Sequence, residues 1–159
     1  MWNQGIVRDD TGETLAMPGM AVDELLSTRA GRQGQVLSNE PGYFSVWMKP
    51  IEIEGYQCGA IATFMDGKLK LFYFGPLEEG DSVLKSEQER NDPLLFLQRW
   101  VDRRTGSVGG LFEASWGSAY AATDPHLNEA SINFDYQQGG RGAAGFLERR
   151  FTGTSARLP

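Results

Sequence analysis

The sequence contains one cysteine and one histidine in 159 residues. Cys58 alone cannot form an internal disulfide, and one cysteine with one histidine excludes the usual zinc-ligand sets. No apolar run approaches the roughly 18 residues that cross a bilayer. The N-terminal residues MWNQGIVRDD lack the basic start and apolar core of a signal peptide. We therefore expect a cytoplasmic protein that holds neither a metal nor another cofactor.

Positive charge is also scarce. The chain has 15 Lys+Arg against 21 Asp+Glu, a net charge of −6 at pH 7. The negative excess lies in residues 1–92, which hold 15 acidic and 8 basic residues. An acidic balance argues against binding to nucleic acid or to an anionic membrane surface. It is compatible with a basic protein partner, although solubility alone explains most acidic proteins.

A β-hairpin over residues 56–74 is the central predicted element. Asp66-Gly67, flanked by runs rich in aromatic and β-branched residues, predicts a two-residue type I′ loop with Met65 opposite Lys68. With residues 43–53, which alternate and are interrupted at Pro50, it makes a three-stranded antiparallel meander. The predicted core face of the hairpin consists of Cys58, Ala60, Ala62, Phe64, Leu69, Leu71 and Tyr73.

The main helix is predicted between residues 86 and 104. Its apolar stripe includes Leu97 and Trp100, and Pro93 at the first helical position, after Asp92 as N-cap, gives an alternative start. Strands over 111–122 and 130–136 predict a C-terminal hairpin. Residues before 43 predict a hairpin turning at 10–12, a short helix over 21–29 and a strand over 35–38. The prediction is one α+β domain over 1–159: an antiparallel sheet, a packed amphipathic helix and a Gly/Arg-rich tail at 137–159.

The sequence contains three patterns that could indicate catalysis, and each has a better non-catalytic explanation. Residues 140–145 match G-x-G-x-x-G, but the 14 residues that follow cannot supply the rest of a dinucleotide-binding fold. Cys58 and His126 could pair as nucleophile and base, yet an apolar-face thiol and a histidine in an Asp-Pro turn favour an inert core thiol and a surface histidine. Paired acids in turns and on outward strand faces lack an apolar pocket. We therefore expect no enzymatic activity.

The C-terminal hairpin carries a motif of turn and aromatic residues: Trp116, Gly117, Ser118, Tyr120, Asp124, Pro125, Ser131, Ile132, Phe134 and Tyr136. It follows a meander that ends in the turn at residues 65–69 and a helix. This order of motifs, over residues 43–136, resembles that of small cytosolic proteobacterial proteins, some of which are similar to immunity partners of secreted toxins. Its motifs are turns and core aromatics, so the resemblance implies no catalytic residues.

These observations lead to a hypothesis with two alternatives. The hypothesis is a non-enzymatic, cytoplasmic, immunity-type inhibitor that binds a basic toxin through an acidic surface. One alternative is a small-molecule-binding or enzymatic domain with a pocket between sheet and helix. The other is a homodimeric adaptor or structural protein that pairs through an exposed sheet edge. The candidate partner-binding residues are Glu52, Glu54, Glu78, Glu79, Asp81, Trp116 and Tyr120.

Overall fold

The structure, a computed structural model, describes residues 1–77, 91–124 and 129–137. Within these ranges the chain is mostly antiparallel sheet, with nine strands in two sheets and few helices. The sequence features that lie outside the described residues are the acidic loop at 78–81, the predicted helical turn at 86–90, His126 and, apart from residue 137, the predicted tail at 137–159 with its glycine-rich segment at 140–145.

The N-terminal part combines short elements. A 3-10 helix (Trp2–Gln4) precedes strands β1 (Val7–Arg8) and β2 (Thr14–Ala16), which pair as the predicted hairpin. Helix α1 (Val22–Leu26) falls where a short helix was predicted. Helix α2 (Arg29–Arg32) follows, and the Thr28 side chain caps it by accepting a hydrogen bond from the Gly31 backbone N–H.

The remaining strands form one seven-stranded antiparallel sheet. Its order is β3-β4-β5-β6-β9-β8-β7, so β6 pairs with β9 and joins the predicted meander to the C-terminal strands. The long strand predicted over 111–122 is two strands, since the chain turns at Ser115-Trp116. The strands are β3 (Gln35–Glu40), β4 (Tyr43–Ile53), β5 (Tyr56–Met65), β6 (Lys68–Pro76), β7 (Leu111–Ala114), β8 (Gly117–Asp124) and β9 (Glu129–Tyr136).

The central hairpin turns as predicted. Asp66 and Gly67 both have positive φ, 52° and 82°, as a type I′ loop requires. Met65 lies opposite Lys68, again as predicted. A bulge also interrupts β4 between Met48 and Ile51, which confirms the expected irregularity at Pro50.

The register beyond the loop differs from the prediction. A bulge on β6 makes Leu71, not Lys70, the partner of Thr63. Because side chains alternate along a strand, this shift of one residue exchanges the faces of everything beyond it. Phe72 and Phe74 are therefore buried in the core in place of Leu71 and Tyr73, which are half-buried on the other face.

Helix α3 (Pro93–Thr105) packs on the sheet as expected. The Asp92 carboxylate accepts a hydrogen bond from the Leu95 N–H at 3.1 Å, which caps the helix immediately before the proline. Gly106 ends the helix with φ of 80°. The stripe that contains Leu97 and Trp100 is buried, and Trp100 meets Phe74 edge-to-face with ring centroids 5.7 Å apart.

The two faces of the large sheet differ in chemistry. The hydrophobic core draws on one face, where α3, the 3-10 helix and the β1–β2 hairpin contribute Leu97, Trp2 and Val7. On the second face, the polar residues Asn133 and Asp135 are only 2% and 3% exposed. The Lys70 ammonium lies 2.7 Å from the Asp135 carboxylate, so this buried charge has its counter-ion.

Candidate partner-binding surface

Two turns meet at one end of the sheet. The Asp10 carboxylate accepts hydrogen bonds from the backbone N–H groups of Glu54 and Gly55, at 2.7 and 2.9 Å. The Asp10 N–H donates to the carbonyl of Glu52 at 2.8 Å. These bonds hold the β1–β2 turn against the β4–β5 turn. They gather three exposed acids, the turn cluster: Asp10, Glu52 and Glu54.

Glu54 has a structural task within the turn cluster. One carboxylate oxygen accepts a hydrogen bond from the Trp100 indole N–H at 3.1 Å, and the other pairs with Arg104 Nε at 2.9 Å. The Arg104 guanidinium also lies 5.5 Å from the centroid of the Trp2 ring. Glu54 therefore ties α3 to the β4–β5 turn, and its charge is matched locally. A partner approaching the turn cluster would meet mainly Glu52 and Asp10.

Trp116 fastens the N-terminal segment to the C-terminal strands. Its indole N–H donates to the Asn3 carbonyl at 2.8 Å, and its ring stacks on Phe134 with centroids 6.0 Å apart. A Cβ on Gly5 would come within 2.7 Å of the Trp116 ring, and Gly5 has φ of 76°, so only glycine fits beneath it. Trp116 remains half-buried, which leaves part of the ring accessible.

Tyr120 occupies a different environment from the one expected. It lies on the second face of the sheet, opposite Asn133 on β9, and only 2% of it is exposed. The sequence analysis named Tyr120 as a candidate partner-binding residue, but this face of the sheet is covered at Tyr120. Its side chain is therefore not available to a partner in this structure, and we retain Trp116 alone from the aromatic pair.

Exposed acidic side chains outnumber exposed basic ones in residues 1–77 by seven to five. Glu78, Glu79 and Asp81 lie outside the described residues and stay predictions. The exposed acids divide between the turn cluster at one end of β4 and the neighbourhood of Glu40 and Asp66 at the other. The exposed acids of residues 1–77 are Asp10, Asp23, Glu24, Glu40, Glu52, Glu54 and Asp66.

A surface groove of about 360 Å³ lies at the end of β4 that is near Glu40 and Asp66. The sequence did not predict this groove. The Asp66 N–H donates to the Gly42 carbonyl at 2.9 Å, which brings the β3–β4 and β5–β6 turns together. Both turns were visible as Pro-Gly and Asp-Gly dipeptides, but no local signal indicates that they touch. The groove is lined by Val22, Asn39, Glu40, Gly42, Tyr43, Phe44, Phe64 and Gly67.

The single cysteine lies in the core. Burial, and to a lesser degree the charge of Asp10, raises the pKa of the Cys58 thiol to about 12. At pH 7 the thiol is therefore protonated and a poor nucleophile. Its hydrogen bond goes to the Tyr56 carbonyl at 3.5 Å, so Cys58 acts as a small core residue, as the sequence indicated.

In the part of the chain that the structure describes, no group of three or more His, Cys, Asp or Glu residues could hold a metal ion. Among the described helices, none is long and apolar enough to span a membrane.

Comparison with known proteins finds a similar fold but no similar sequence. No family model and no curated protein matches the chain. Among solved structures, the fold is similar to that of a chain in "Rhs1-CT in complex with cognate immunity protein RhsI1", with a TM-score of 0.50. The likeness covers 86% of each chain at 14% sequence identity. At this identity it shows a common fold, a mostly antiparallel sheet with few helices.

Proposed function

We propose that this protein is a non-enzymatic, cytoplasmic, immunity-type inhibitor that binds a basic toxin. The observation that carries the proposal is the likeness of its fold to a chain of a toxin–immunity complex over 86% of both chains. The chemistry of Cys58 agrees with a binding role, because its thiol is buried and protonated at pH 7.

The proposed contact surface is acidic. It comprises the turn cluster, where Glu52 and Asp10 face solvent, together with Glu78, Glu79 and Asp81 and the accessible edge of Trp116. An acidic surface attracts a basic protein over about a Debye length and speeds its association. The same charge repels nucleic acid, so we assign the protein no direct role in binding it.

The test uses the product of the gene next to the one encoding this chain, because immunity proteins are encoded beside their toxins. Association is followed by surface plasmon resonance at about 50 and 300 mM salt. We expect the association rate to fall steeply as salt rises, because screening shortens the reach of the field. Inhibition of the neighbour's toxicity on co-expression is the functional readout.

A matched pair of charge reversals locates the surface. Glu52→Lys should slow association at low salt, whereas Glu113→Lys, also exposed but on β7, should change it much less. Both substitutions lie on the surface and should leave the fold intact. If the neighbour binds but Glu52→Lys and Glu113→Lys associate at equal rates, the turn cluster is not the contact. If the neighbour does not bind at all, the proposed function is wrong.

A further inference from the structure

Strand β3 is an edge with little to protect it. Among the described strands it is paired on one side only, with β4. Five of its six residues are exposed, and Val36 and Leu37 show 51% and 49% of their surface. Proteins usually guard such edges with lysine, proline or a covering element, and the interior of β3 contains neither lysine nor proline.

Strand β3 has a bulge at the position of its exposed apolar residues. Val36 pairs with Val46 and Ser38 with Ser45, so a bulge leaves Leu37 without a partner residue on β4. Leu37 and its neighbour Val36 are the large exposed hydrophobic residues of this edge. An extended chain that adds to β3 would cover both of them while completing hydrogen bonds along the edge.

The groove described above continues from the C-terminal end of β3. Asn39 and Glu40 belong to both the strand and the groove, whose apolar lining is Val22, Phe44 and Phe64. Such a pocket beside a strand edge accepts a side chain of an added strand, and it supplies specificity that main-chain hydrogen bonds lack.

The charge around the groove identifies the occupant. Glu40 is exposed and lines the groove, and the exposed Asp66 carboxylate lies beside Gly42, which also lines it. Asp23 is exposed next to Val22 in sequence, and Lys68 is a basic residue next to the β5–β6 turn. A net acidic rim complements a basic segment. A second copy of this edge offers no basic segment to complement the acidic rim, so the charge favours a basic partner protein over a homodimer.

We propose that β3 and the adjoining groove bind an extended segment of the partner protein by β-strand addition, with an apolar side chain in the groove and a lysine or arginine at its rim. The inference rests on the proposed function and adds the place and manner of binding. It concerns a contact separate from the turn cluster at the opposite end of β4.

The test compares binding of the neighbouring gene's product to wild type and to the double variant Val36→Lys/Leu37→Lys. Both side chains are half-exposed, so the fold should persist, and circular dichroism checks that it does. We expect an equilibrium dissociation constant weakened by about tenfold or more, since lysines on an edge strand oppose strand addition. Leu111→Lys, on the β7 edge, is the control and should change the constant by less than about twofold.

Hydrogen exchange supplies an independent readout. Strand addition should slow exchange of backbone amides within residues 35–40 in the complex, which a contact through side chains alone would not do. Glu40→Lys provides a second variant should the double variant unfold, and it should slow association.

The outcomes separate the two proposals. If wild type binds, but the edge variants bind equally well and residues 35–40 gain no protection, the inference is wrong and the proposed function stands. If sedimentation shows that wild type self-associates and the double variant does not, a second copy occupies the edge and the inference is again wrong. If wild type does not bind the neighbour, both proposals fall together.

Discussion

Replacement of Trp2 tests whether the N-terminal residues are part of the core. Trp2 is 2% exposed, and its ring centroid lies 5.3 Å from that of Phe134 and 6.0 Å from those of Phe74 and Trp100. Truncation of a buried tryptophan to alanine removes about 3–5 kcal/mol through lost burial and a residual cavity. We expect Trp2→Ala to lower the free energy of unfolding by about 4 kcal/mol, a large part of the roughly 5–15 kcal/mol typical of a domain.

The assay is urea unfolding followed by far-ultraviolet circular dichroism. With a denaturant slope of about 2 kcal/mol per molar, Trp2→Ala should move the midpoint down by about 2 M. Trp2→Phe keeps an aromatic ring and should lose less, and Val108→Ala, at a residue 91% exposed, should lie within about 0.5 kcal/mol of wild type. A loss below about 1 kcal/mol for Trp2→Ala would refute the reasoning and show that the segment only rests on the domain.

Three further changes test the hairpin, the helix and the thiol. Gly67→Val should cost about 1–3 kcal/mol in the same assay, because valine strains at φ of 82°, and an unchanged midpoint would contradict the type I′ loop. Leu97→Ala should cost about 2–5 kcal/mol, and an effect under about 1 kcal/mol would mean that α3 packs loosely. Burial raises the pKa of the folded Cys58 thiol to about 12, so the thiol should resist iodoacetamide at pH 8 until urea unfolds the chain. Because the unfolded thiol ionises first, the free energy of unfolding should fall as pH rises from about 9 toward 12. Rapid labelling of the folded protein would contradict the burial.

Turn and cap chemistry made much of the fold predictable. The Asp66-Gly67 loop and the cap at Asp92 depend on neighbours in sequence, and both form where the local residues indicate. The apolar stripe of α3 was likewise visible from its spacing, with Leu97 and Trp100 buried as predicted. These features need no knowledge of what the rest of the chain does.

Features set by distant contacts were not predictable in the same way. No sequence signal near Lys70 predicts the bulge that shifts β6 by one residue. That shift nevertheless decides whether Phe72 or Leu71 is buried in the core. Glu54 looked like a free surface acid, but Trp100 and Arg104 come from a helix about 50 residues further along the chain. Tyr120 was a candidate partner-binding residue, but the second face of the sheet is covered there and buries it.

The acidic residues show why a net charge is only a first guide to a binding surface. Some carboxylates already accept hydrogen bonds from backbone groups of this chain. Asp9 accepts from the Thr11 and Glu13 N–H groups, and Asp102 accepts from the Gly109 and Gly110 N–H groups. A distant partner responds to the whole field, so every acid contributes to the association rate. Contact lifetime depends instead on the groups that a docked partner can desolvate and cover, which favours apolar edge residues over committed carboxylates. Salt and the charge reversals, including Glu40→Lys, should therefore act mainly on association, and the Val36→Lys/Leu37→Lys double variant should also speed dissociation.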